Sequence, residues 1–60
     1  MMNLPVAGTL VRFAEGTNEN AEKNLVGYVT SVDRLTGTMR VCTKPGTYWS
    51  VDRALAEEVN

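Results

Sequence analysis

Sixty residues with 43% apolar side chains, six basic groups against seven acidic ones and no histidine describe one small domain. A chain of this length buries only about 60% of the surface its unfolded form exposes, which excludes a second domain and leaves a marginal core that a partner or another copy would complete. A net charge of −1 and a pI near 5.1 give no global attraction to nucleic acid or to an anionic membrane.

Eight valines against five leucines and no isoleucine, punctuated by five glycines and two prolines, favour strands, because branched side chains suit a pleated surface. Residues 1–7 read as an N-terminal tail and 8–60 as the domain. From Gly8 to Ala14 the chain alternates, with Thr9, Val11 and Phe13 on one face and Leu10, Arg12 and Ala14 on the other. This is a first strand with Val11 and Phe13 inward. Residues 15–24 hold one alanine and no larger apolar group, so they form an exposed polar loop.

The segment from Leu25 to Val32 is the clearest strand, with Val26, Tyr28, Thr30 and Val32 on one face and Leu25, Gly27 and Val29 on the other. Gly27 is expected to mark a bulge or a sharp bend. Asp33 to Gly37 fits a hairpin loop with one residue at positive φ, and Thr38 to Thr43 a third strand in which Met39 and Val41 alternate with Arg40 and Cys42. At Lys44-Pro45-Gly46 the proline and glycine take the two central positions of a turn. Thr47 to Val51 is a fourth strand. Asp52 to Val59 has the composition of one or two helical turns capped by Asp52, although Glu57 and Glu58 oppose the dipole at the far end.

The pattern describes an all-β fold: a small SH3-like barrel of four to five antiparallel strands with a short C-terminal helical turn. The alternative is an open antiparallel sheet with the C-terminal helix laid across it.

Gly8-Thr9-Leu10-Val11-Arg12, Leu25-Val26-Gly27-Tyr28, the Pro45-Gly46 turn and the ending Ala54-Leu55-Ala56-Glu57-Glu58-Val59-Asn60 together resemble the plasmid-borne type II dihydrofolate reductases. The resemblance covers roughly Gly8 to Asn60. It implies an SH3-like barrel that works as a homotetramer around a central pore, where folate and a nicotinamide cofactor bind. In that family a Val-Gln-Ile-Tyr run after the Pro-Gly turn lines the pore. Here Tyr48-Trp49-Ser50-Val51 stands in its place, and Phe13 stands where the family has a ligand-holding lysine. The resemblance therefore carries the fold and not the activity.

No histidine is present, the single thiol of Cys42 lies in a strand beside no base, and the carboxylates are scattered, so neither a catalytic residue, a cofactor nor a metal is expected. Asp33 and Asp52 read as turn and cap residues. Tyr48 and Trp49 are adjacent in a strand and point to opposite faces; if Val51 is inward, so is Trp49, which leaves Tyr48 outside. An exposed aromatic is the kind of residue that anchors protein interfaces. The expected partner-binding residues are Tyr48, Arg40, Lys44 and Arg53, joined by Glu19 and Glu22 of the polar loop. The loop's plainer reading is a solvated linker.

Apolar runs stop at a few residues, so neither a membrane span nor a secretory signal is expected, and a cytoplasmic location follows. The expected function is that of a non-enzymatic interaction module, of the size of a phage or plasmid accessory protein, binding a protein partner or its own copies as a homo-oligomer through an exposed β face. The alternatives are a pore-type dihydrofolate reductase-like homo-oligomer and a nucleic-acid-binding barrel, the latter disfavoured by the acidic pI.

Overall fold

The computed structural model describes residues 6–16 and 22–59. Five antiparallel strands form one sheet: β1 (Leu10–Phe13), β2 (Leu25–Asp33), β3 (Thr38–Lys44), β4 (Thr47–Asp52) and β5 (Ala56–Glu58). A single 3-10 turn, Arg53–Leu55, joins the last two. The sheet order is β4-β3-β2-β1-β5, so the first four strands meander and the last returns to lie beside the first, the arrangement of a small SH3-like barrel. The domain is all-β, as the valine-rich alternation requires.

The core is six side chains, Val11, Phe13, Val29, Met39, Val41 and Val51, with Leu25, Val32, Trp49 and Ala56 packed against it. Each comes from the inward set of its strand. Val11 and Phe13 are fully buried, as expected of the first strand, and the ring of Phe13 meets that of Trp49 edge-on, with centroids 5.9 Å apart and planes at 63°. Trp49 is half-buried, and its indole N–H donates to the Thr43 hydroxyl at 3.2 Å, which gives the polar end of an inward-facing ring its partner.

Both hairpin turns depend on glycine in the left-handed region. Gly37 has φ 72° and its N–H donates to the Asp33 carbonyl at 2.9 Å, while the Asp33 carboxylate accepts from Leu35 N–H at 3.0 Å. Gly46 has φ 82° after Pro45, the pairing a type II turn requires.

Two expectations are corrected. The bulge of β2 lies at Thr30 rather than at Gly27: Val29 pairs with Val41 but Ser31 pairs with Arg40, so β2 advances two residues against one on β3. The Thr30 hydroxyl donates to the Arg40 carbonyl at 3.1 Å within this irregularity. The parity change lets Val32 join the core, although Val26, Tyr28 and Thr30, assigned to its face by simple alternation, are exposed. Gly27 has a different role. It is buried against β3, where a Cβ would stand 2.5 Å from the Cys42 carbonyl oxygen and 2.8 Å from a Val41 methyl.

The second correction concerns residues 52–59. The Asp52 carboxylate caps as expected, accepting from Ala54 N–H at 2.9 Å, but the helix it opens is one 3-10 turn. Ala56 to Glu58 then pair with β1, Ala56 against Phe13 and Glu57 against Arg12. A free edge of β1 offers more backbone hydrogen bonds than a frayed helix could make alone, and it removes the unfavourable placement of Glu57 and Glu58 at a helix end.

Candidate interaction face

Because Val11, Val29, Val41 and Val51 point inward, the residues between them form the outer surface of the sheet. The register aligns four of these in one row across four strands: Leu10 opposite Tyr28, Tyr28 opposite Cys42, and Cys42 opposite Tyr48. Tyr28 is 58% exposed and Tyr48 52%. Neighbouring strands lie about 4.8 Å apart, so the two tyrosines rise from backbone positions about 10 Å apart with the small Cys42 between them. Cys42 is half-buried and its thiol donates to the Lys44 carbonyl at 3.1 Å.

The next row holds Ser31, Arg40 and Ser50. The Arg40 guanidinium lies over the Tyr48 ring, 5.1 Å from its centroid, and forms no ion pair among the described residues. Stacking orients the planar fork while leaving its N–H edge available for a carboxylate. On the other side of the aromatic row are Arg12 and the exposed Val26, and Arg12 pairs with Glu57 at 3.3 Å. The face thus combines two tyrosines, a valine and small hydroxyl residues with Arg40 and the Glu57-paired Arg12. Aromatic residues and arginine with few other charges are the composition of interface cores.

Tyr48 and Arg40, expected from the sequence to belong to one surface, are in contact. Lys44 is exposed at the end of β3, beside Thr47, adjoining the same face. Arg53 opens the 3-10 turn at the opposite end of β4. Glu22 is exposed in a shallow cleft with Arg12, Lys23, Asn24 and Glu57, on the β1–β5 side of the sheet, where its carboxylate accepts from the Asn24 amide at 3.4 Å. Glu19 lies outside the described residues. Tyr28 was missed by sequence reasoning. Its signal was the glycine beside it: an inward Gly27 requires Tyr28 to point out.

Among the described residues no cluster of three or more His, Cys, Asp or Glu side chains could hold a metal ion, and no helix is long and apolar enough to cross a membrane. Comparison with family models, with curated proteins and with solved structures finds no match to this chain.

Proposed function

We propose that this domain is a non-enzymatic interaction module that binds another protein through the outer face of its sheet. The observation that carries this reading is the transverse row of Tyr28, Cys42 and Tyr48 with Arg40 stacked on its end. Two partly exposed rings on a rigid sheet lose little conformational freedom on binding, and the arginine fork supplies direction. The proposal extends to a role as a phage or plasmid accessory protein in the cytoplasm. The face carries too few cations for backbone-driven nucleic-acid binding, which scales with the number of phosphates neutralised.

The test is affinity capture from bacterial lysate with the wild type and with a Tyr28→Ser/Tyr48→Ser variant of equal melting temperature. A partner retained by the first and lost by the second supports the reading. Equal capture by both refutes it, and so does oxidation of a nicotinamide cofactor with dihydrofolate by a tetrameric sample, which would make the domain an enzyme of the kind its sequence resembles.

A further inference from the structure

The two edges of the sheet are protected to different degrees. Edge strand β5 is three residues long, Ala56-Glu57-Glu58, and two of the three are charged. Short length and charge are the devices by which sheets avoid pairing with other chains. Edge strand β4 is six residues long, Thr47-Tyr48-Trp49-Ser50-Val51-Asp52, with no proline, no lysine and no charge before its last residue. Among the described residues no backbone hydrogen bond reaches β4 from the side away from β3.

We infer that β4 is the contact between two copies of this chain, paired antiparallel about a two-fold axis. The inference goes beyond the outer-face reading, because it uses the strand's edge. Alternation restricts the register, since outward residues must meet outward residues. Placing Ser50 opposite the second copy's Ser50 satisfies this and sets Trp49 opposite the second copy's Val51. An aromatic residue across from a β-branched one is a favourable cross-strand pair, and it covers the half-buried Trp49 that β4 alone leaves incompletely shielded. On the outer side the same register sets Tyr48, with Arg40 stacked on it, opposite the second copy's Asp52, and brings the exposed Lys44 towards that carboxylate. The stacked Arg40 and Lys44 both belong to β3 beside this edge, and the two-fold axis makes their approach to the second copy's Asp52 occur twice. The six-residue core gives the second copy a further role, as extra apolar cover for a domain near the lower size limit.

Sedimentation velocity on the full chain from micromolar to millimolar concentration is expected to give a reversible monomer–dimer equilibrium. Amides of β4 are expected to gain hydrogen-exchange protection with concentration while those of β5 do not. Ser50→Lys places two like charges across the two-fold axis on an exposed position and is expected to raise the dimer dissociation constant about tenfold or more. Its circular dichroism at micromolar concentration should match the wild type, with a melting temperature lowered only slightly by the new charge beside Arg40 of β3. Tyr28→Ser, remote from the edge, leaves the dimer intact. A monomer at millimolar concentration overturns the inference. So does a dimer insensitive to Ser50→Lys or one dissolved by Tyr28→Ser, and the last result would instead favour the outer face as the contact.

Discussion

Gly27→Ala tests the packing of the barrel at its tightest point. The added methyl would sit 2.5 Å from the Cys42 carbonyl oxygen, 2.8 Å from a Val41 methyl and 2.9 Å from the Cys42 carbonyl carbon. A carbon rests against a carbonyl oxygen at about 3.3 Å, so β2 and β3 must separate by about 0.8 Å. Two of the three obstacles are backbone, held by the pairing of Tyr28 with Cys42, and cannot rotate away. Overpacking of this kind costs about 1–3 kcal/mol. Replacing glycine by alanine also narrows the unfolded ensemble, which returns about 0.4–1 kcal/mol. The net expectation is a loss of about 1–2 kcal/mol from a total that, at about 0.05–0.15 kcal/mol per residue, is only about 3–9 kcal/mol. In a domain of this size each kcal/mol lowers Tm by about 4–8 °C. Urea titration followed by Trp49 emission and far-ultraviolet circular dichroism reads the change. Gly16→Ala is the control, since nothing lies within 4 Å of the position and its φ is not left-handed, and it is expected to be neutral or slightly stabilising. A Gly27→Ala protein as stable as the wild type would refute the close approach of β2 to β3.

Thr43→Val removes the acceptor of the Trp49 indole and, because the ring is partly buried, is expected to cost about 1–2 kcal/mol in urea titration. Asp52→Ala removes the cap of the 3-10 turn and is expected to lower stability by about 1 kcal/mol, whereas Asp52→Asn retains the acceptor and stays within a few tenths of the wild type in the same assay. Glu57→Gln breaks the pair with Arg12, but both side chains are about half exposed, so a change of at most about 0.5 kcal/mol that vanishes in high salt is expected from thermal melts at two ionic strengths.

The strands with strict alternation were legible in the sequence. Val11 and Phe13, Met39 and Val41, and Trp49 with Val51 all face the interior as their spacing demands, and Tyr48 and Arg40 share the exterior for the same reason. β2 was legible as a strand but not in its facing. Val26, Tyr28, Thr30 and Val32 look like one apolar face, and only the bulge shows that the last belongs inside while the others do not. A bulge is fixed by how two strands meet, which one strand's pattern does not record. Ala56-Glu57-Glu58 became a strand against local preference, because alanine and glutamate favour helix until a neighbouring edge needs a partner. The row of Tyr28, Cys42 and Tyr48 depends on register across three strands, so two of its members could be named without the third being placed beside them.

The return of β5 to β1 has a kinetic side. Arg12 and Glu57 are 45 positions apart, whereas the β2–β3 and β3–β4 hairpins close over turns of a few residues. Closing a long loop costs more chain entropy than closing a tight turn, so β2, β3 and β4 can assemble first and β5 joins last. The same strand is short and adds to its backbone pairing only Ala56 at the margin of the core and one exposed ion pair, so it is also the first part of the sheet to open, and its departure leaves Val11 and Phe13 covered on one side fewer. Hydrogen exchange at β5 therefore reports sub-global opening, while exchange in β3 reports the unfolding of the whole domain.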